Sequence, residues 1–377
     1  MGLFFAGYFS INGVAVPFFP VWLAERGFSE VEIANIIAIP MAVRVLLTPL
    51  GGAVADRMPS RRFAARMFMV PAAFILLGAW WQTGYWPIML LTGGAFLLWQ
   101  LGLPAGEALA LTGLRRFGLD YGRMRLWGSV AFITINLTSG ALLTVMPRES
   151  IFWFILAGFV AAAAVTFSLP RTPPAIRALD DAARPARGPA WGALAQPAFL
   201  ALAFAAGLIG ASHAVFYSFG SLFLEKLGYN TVEIGGFWAV SLGCEVTFFA
   251  FSTAIYRRIG AYPMVALGAV AAMLRWLVFG LDFGTPGFVF AQSLHAFSFA
   301  SVFLGTQHAV ARAVPEQYAA SAQGLVFMIG GLTMAGMTAL AGPLYQAYGG
   351  QAFYAMIVPP VLALAILALA RRLVPPE

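Results

Sequence analysis

Apolar residues run along this chain in long uninterrupted stretches, broken by short clusters of charge, proline and glycine. A helix needs about 20 mainly apolar residues to cross roughly 30 Å of hydrocarbon. Cutting the chain at its polar breaks predicts twelve such helices, near 3–24, 33–55, 63–83, 86–111, 124–146 and 150–169, then 197–223, 232–256, 262–282, 286–311, 319–346 and 350–370. No alternation of apolar and polar positions recurs over ten-residue segments, so the pattern speaks against a membrane β-barrel. The first stretch lacks a basic leader and a small-residue cleavage site, and reads as the first span, not a signal peptide.

The only long polar segment, RTPPAIRALDDAARPARGP with its flanks, reads as a flexible linker over 171–196. It divides the chain into an N-terminal six-helix bundle, 1–170, and a C-terminal one, 197–377. The expected fold class is therefore an all-α membrane protein of twelve transmembrane helices in two six-helix bundles. That layout suits a carrier that alternates access around a central cavity.

Composition sharpens this reading. Of 377 residues, 61% are hydrophobic and 10% charged, against about 25% charged in an average soluble domain. A water-soluble enzyme cannot coat its surface with so little charge, and disorder is equally excluded. The lone Cys244 rules out an intrachain disulfide and a Cys-based zinc site. No metal-ligand cluster, nucleophile–base set or phosphate loop appears, so neither an enzyme nor a cofactor is expected.

The net charge of +7 is explained by topology. Sixteen basic residues fall in one set of connections or the tail, from Arg57 to Arg372, and only Arg26, Arg148 and Lys226 in the opposite set. This positive-inside bias puts both termini in the cytoplasm. Nucleic acid is not an expected partner. The expected partners are the lipid bilayer, protons and a small solute, with a monomeric chain in a bacterial inner membrane.

Three basic residues remain, Arg44, Arg125 and Arg275, inside or at the end of spans, with the carboxylates Glu107 and Glu245. Intramembrane charge costs several kcal/mol unless paired or hydrated, which makes these residues functional candidates. Two residues on adjacent antiparallel helices share a depth when their midpoint falls at the connecting turn. The midpoint of Glu107 and Arg125 is 116, in the Arg115–Arg116 turn; that of Glu245 and Arg275 is 260, at Gly260; that of Arg275 and His295 is 285, in a Gly-Thr-Pro-Gly turn. Glu245, Arg275 and His295 are thus expected to meet about 15 Å below that last turn, and Glu107 with Arg125 nearer the cytoplasm. Three arginines against two carboxylates favour an anionic solute, because a carboxylate accepts two parallel bonds from a guanidinium. An imidazole titrates near neutral pH, so His295 and His213 are further candidates. Asn136, Tyr217 and Gln292 are plausible solute-contacting residues.

After the second span stands Gly52-Ala-Val-Ala-Asp56-Arg57-Met-Pro-Ser-Arg61-Arg62. Ordinary positive-inside charge explains its arginines but not the Gly–Asp spacing. It is similar to the G-x-x-x-D-R/K-x-x-x-R/K signature of the major facilitator superfamily, and on that resemblance Gly52, Asp56, Arg57, Arg61 and Arg62 form a cytoplasmic gate. The run Pro104-Ala-Gly-Glu107, then Asp120-Tyr-Gly-Arg-Met-Arg125-Leu-Trp-Gly-Ser129, resembles lactose-permease-like and, more closely, phenylpropionate-permease-like members. So do Gly210-Ala-Ser-His213, Cys244-Glu245, Leu274-Arg275-Trp276 and Leu294-His295-Ala-Phe.

The resemblance implies a proton symporter for a small organic solute held between the halves. It places Glu107 and Arg125 at a solute-binding pair, Glu245 at a solute- and proton-linked position, and Arg275 and His295 at the matching arginine and histidine of the family. Arg275 and His295 are expected at the solute, and Glu245 and His295 in proton coupling, with Glu107 the rival carrier. Ser298 and Gln292 stand where lactose-permease-like members carry a carboxylate and a lysine, which closes that proton route and leaves the solute open. An aromatic or other carboxylate leads; a neutral sugar or nucleoside, or a drug or metabolite for export, remain alternatives.

Overall fold

The computed structural model describes residues 1–170, 196–314 and 318–370. Most of the expected 171–196 linker, and Arg371 and Arg372, lie outside the described residues. Helices account for the apolar stretches in order: α1 (Gly2–Glu25), α2 (Glu30–Arg57), α3 (Arg61–Gly78), α4 (Tyr85–Leu101), α5 (Leu103–Phe117), α6 (Tyr121–Leu142) and α7 (Ser150–Ser168). There follow α8 (Pro197–Ala211), α9 (Ala214–Lys226), α10 (Thr231–Ile259), α11 (Ala261–Leu281), α12 (Gly284–Ser293), α13 (Val302–Ala313), α14 (Ala319–Tyr348), the short α15 (Ala352–Ala355) and α16 (Val358–Ala370). No strand occurs among the described residues.

Among the described residues, ten stretches are long and apolar enough to cross a membrane, against the twelve expected. The difference has physical causes. Helix α6 carries Arg123 and Arg125 and is not among the ten, while Ser321–Ala370 counts once although its 50 residues contain α14, α15 and α16. Three predicted spans are also broken helices. Gly102 separates α4 from α5, Ser212–His213 separates α8 from α9, and a π-helical turn, Ala296–Ser301, lies between α12 and α13. Large side chains such as Leu3, Phe74, Trp86 and Phe251 are exposed, as lipid-facing positions require.

Local signals set the helix ends. Ser29 and Glu32 form a capping box at the start of α2, with Ser29 N–H donating to Glu32 Oε2 at 2.9 Å. Ser60 and Asp120 cap α3 and α6. Gly260, at φ +74°, turns α10 directly into α11, a backbone position that a side chain would strain.

The chain forms two compact units. One takes α1 to α7 together with Gly220–Gly236, the end of α9 and the start of α10. Within it, α1 packs against α6 and α7, and Phe19, Trp22, Phe96, Trp99, Phe152 and Phe159 interlock around it. Residues 220–236 are held in this unit by named bonds. Thr231 Oγ1 donates to the Gly140 carbonyl at 2.6 Å, and Asn136 Nδ2 to the Gly235 carbonyl at 2.8 Å. Arg148 lies 3.6 Å from Glu25 and 3.4 Å from Glu225. The approach at Gly140 requires glycine, since a Cβ there would lie 2.6 Å from the Thr231 carbonyl oxygen. The other unit takes α8, α9 as far as Phe219, and the chain from Phe237 onward; α8 packs there against α14 and α16, and α11 against α13.

Candidate functional site

The second unit buries a polar cluster in an aromatic setting. Arg275, on α11, has no exposed surface. Its guanidinium lies 4.6 Å from the Trp276 ring centre and 5.1 Å from that of Phe216, a favourable setting for a cation. Nη1 stands 2.9 Å from His295 Nδ1, and Nη2 donates to Gln292 Oε1. The Gln292 oxygen also accepts from Ser241 Oγ at 2.9 Å. On its far side, His295 Nε2 lies 3.5 Å from Glu245 Oε2.

Guanidinium chemistry fixes the His295 tautomer. A guanidinium has no acceptor, so Nδ1 receives the Arg275 bond and the imidazole proton sits on Nε2, facing the Glu245 carboxylate. His295 thus connects the cation to the anion and is itself neutral. Residues 241 and 245 are one turn apart on α10, and 292 and 295 are one turn apart at the end of α12, so each pair shares a helix face. The π-helical turn follows His295 immediately; such turns are frequent at functional sites.

His213 occupies the break between α8 and α9 and is buried. Its Nδ1 lies 3.2 Å from the Ile209 carbonyl oxygen and 3.1 Å from that of Gly210, and its Nε2 is 3.1 Å from Ser298 Oγ. Carbonyls only accept, so Nδ1 carries the proton and Ser298 donates to Nε2. Around it stand His295 at 5.4 Å, Trp276 at 5.0 Å and Tyr217 at 5.6 Å between ring centres. Half-buried Tyr217 also stacks with Trp238 at 5.9 Å, and Trp276 Nε1 donates to Ser212 Oγ at 3.0 Å.

The first unit holds the remaining candidates. Arg125 on α6 places its guanidinium 3.9 Å from the Phe9 ring centre, and Glu107 on α5 lies within its electrostatic reach. Arg44 on α2 donates to Gln100 Oε1 on α4. Tyr8, close to the charges of Arg44, Glu107 and Arg125, stacks on Trp99 at 4.4 Å. Asn136 is fully buried, and its amide donates to the Gly235 carbonyl of α10.

In the candidate gate, Gly52 and Arg57 lie on the last turns of α2, while the side chain of Asp56 is outside the described residues. Arg61 donates to the Ala108 carbonyl at 2.9 Å and to Thr112 Oγ1 at 3.2 Å on α5. Arg62 Nη2 donates to the Phe167 carbonyl at 2.8 Å, and Arg66 to those of Thr166 and Phe167 at 3.3 Å. The last two arginines therefore satisfy the unpaired carbonyls at the end of α7, the negative pole of its dipole.

The structure brings Arg275, His295, Glu245 and Gln292 together, with His213 beside them. The sequence pattern did not mark Ser241, Gln100 or Tyr8, and marked Ser298 only for the carboxylate it lacks. Ser241 and Ser298 are polar residues one helical turn from Glu245 and His295, a detectable signal; Gln100 and Tyr8 carry no such signal.

A model of the MFS_1 like family matches residues 1–356. The chain is 30% identical over 377 residues to a probable 3-phenylpropionic acid transporter of Escherichia coli (strain K12), covering 98% of this chain and 96% of the relative. It is 26% identical over 283 residues to a maltose permease of Geobacillus stearothermophilus, covering 74% and 70% of the two chains. Its fold is similar to that of the nucleoside transporter NupG, with a TM-score of 0.83 at 17% identity over 98% of this chain and 97% of the other. All-helical architecture, multiple apolar helices and these matches converge: the chain belongs to the MFS_1 like family and is a multi-pass membrane transporter of the major facilitator superfamily, not an enzyme.

Proposed function

We propose that this chain is a proton-coupled symporter of a small carboxylate, aromatic by preference, working by alternating access in a bacterial inner membrane. The observation that carries this reading is the Arg275–His295–Glu245 chain. One guanidinium and one carboxylate, joined by a neutral imidazole, form an electrically neutral unit. A carboxylate solute drawn to Arg275 leaves that unit one charge negative, at a depth where net charge is expensive. One proton restores neutrality, so solute and proton favour each other's binding reciprocally. Glu245 and His295 couple the two by setting the charge balance that calls for the proton. Glu107 beside Arg125 is the corresponding pair of the first half, and Arg44, His213, Tyr217 and Gln292 are further solute-contacting candidates. Asn136, with its amide bonded to backbone, is assigned to packing.

The name of the Escherichia coli relative supports an aromatic acid as solute, and the sixteen-to-three basic asymmetry supports cytoplasmic termini and a cytoplasmic 171–196 linker between two six-helix bundles. Asp56 and the neighbouring arginines are assigned to the cytoplasmic gate. A neutral sugar or nucleoside is the second reading, favoured by the maltose permease relative and the fold of the nucleoside transporter. Uptake of labelled 3-phenylpropionate into vesicles under an inward proton gradient, against lactose and uridine, separates the two. Accumulation of 3-phenylpropionate that collapses with a protonophore supports the proposal; accumulation of only a neutral solute overturns it.

A further inference from the structure

We propose that His213, with the Ser298 hydroxyl as its switchable partner, is the residue that receives the coupled proton. This rests on the symport reading above and adds the atom on which the proton resides. Neutrality requires one proton when the solute arrives, and the bonds of the two histidines decide where it can go.

His295 is blocked. Its unprotonated nitrogen, Nδ1, faces Arg275 Nη1 at 2.9 Å. Adding a proton there would set two N–H donors against each other and place two cations in contact.

His213 is open. Its Nδ1–H stays on the Ile209 and Gly210 carbonyls, and its acceptor, Nε2, faces a hydroxyl, which can either donate or accept. When a proton from water binds the Nε2 lone pair, the new N–H donates to Ser298 Oγ. The Ser298 hydroxyl proton then swings to the His295 carbonyl oxygen, 3.4 Å from Oγ. No heavy atom has to move and every bond of the ring is kept. Ser298 thus serves the transport reaction even though it cannot itself carry a proton.

The charged and titratable groups around His213 fit conditional protonation. Arg275 on α11 opposes it, as does any charge on His295; Tyr217 on α9 is neutral at physiological pH, and Glu245 on α10 reaches the cluster through His295. Helices α14 and α16, packed on α8, contain no acidic, basic or histidine residue. Helix α13 adds His308 and Arg312, the nearer one ten residues beyond Ser298 and roughly 15 Å along the axis. With Arg275 alongside, a second cation becomes tolerable only when a further anion is present. That condition is what makes transport of one species obligatory for the other.

The chain has three histidines, so isotope-labelled histidine gives a readable magnetic resonance spectrum, with His308→Gln assigning the third signal. Without solute, His213 should be neutral with its proton on Nδ1, and His295 neutral with its proton on Nε2. Adding 3-phenylpropionate should turn His213 into an imidazolium and leave His295 neutral. In weakly buffered detergent solution, the wild type should take up one proton per 3-phenylpropionate bound, and His213→Asn less than a tenth of that. Ser298→Ala removes the acceptor of the new N–H and should need roughly tenfold more protons for half-maximal uptake. Charging of His295 in place of His213, or undiminished uptake by His213→Asn, overturns the assignment while leaving symport intact. The spectrum of the wild type decides even where the variant fails to fold. Failure of the wild type to bind 3-phenylpropionate, or binding without proton uptake, is a different result: it removes the carboxylate–proton reading, and this assignment with it.

Discussion

Replacing Arg275 with lysine keeps the charge and removes the geometry. The wild-type guanidinium is fully buried, donates to two acceptors on α12 and at its end, Gln292 and His295, and lies against the Trp276 and Phe216 rings. A lysine ammonium is a compact point charge that cannot span both acceptors with the same fork. At least one charge-assisted hydrogen bond is lost, worth about 1.5–3 kcal/mol, and the ring contacts are weakened. Ser241 still serves the Gln292 oxygen, so the loss falls mainly on orientation of His295 and on the bidentate hold of a carboxylate. Taking about 2 kcal/mol for the solute, affinity should fall roughly 30-fold. The assay is calorimetric titration of purified Arg275→Lys with 3-phenylpropionate, alongside thermal unfolding to confirm that the variant is folded. Unchanged affinity in a folded Arg275→Lys would refute the reasoning, because charge alone would then suffice.

Arg125→Lys should weaken the same binding for the same reason, whereas equal affinity would mark that arginine as structural. Asn136→Ala removes the side-chain donor to the Gly235 carbonyl, so the melting temperature should drop by the equivalent of about 0.5–1.5 kcal/mol with solute affinity unchanged; a stable protein with lost affinity would return Asn136 to the solute site. In a Cys244→Ser background, Ala182→Cys and Gly84→Cys should label from opposite sides of the membrane, and labelling of Ala182→Cys by an impermeant reagent in intact cells would reverse the topology.

The buried cluster was legible because neighbouring antiparallel helices of equal rise convert sequence midpoints into shared depth. Gly260 is the turn about which Glu245 and Arg275 are equidistant, and Arg275 and His295 meet about the next one. Pairs on helices that are not chain neighbours share no connecting turn, so their midpoints carry no depth. Asn136 and Gly235 are 99 residues apart, and Arg44 and Gln100 lie on helices that are not consecutive. Helix breaks were equally invisible, because the stretches Tyr85–Leu114, Pro197–Lys226 and Gly284–Arg312 each stay apolar enough overall to read as one span. Ser298 was read for the carboxylate it lacks, yet its hydroxyl bonds His213 one turn away from His295. Among the described residues, length and apolarity qualify ten stretches where twelve were expected, since α6 carries arginines that lower its hydropathy and Ser321–Ala370 counts once.

The central claim is that a neutral Arg275–His295–Glu245 unit ties the solute to one proton. Glu245→Gln tests it most directly. Without that carboxylate, the arginine alone balances an anionic solute, and no proton is required. Reconstituted Glu245→Gln should therefore exchange 3-phenylpropionate across the membrane at rates comparable to the wild type, yet fail to accumulate it under an imposed proton gradient. Its solute affinity should also lose the tenfold change per pH unit that linkage to a single proton gives the wild type above neutral pH. Gradient-driven accumulation by Glu245→Gln would contradict the account, and would move proton coupling away from this cluster, toward Glu107 in the first half.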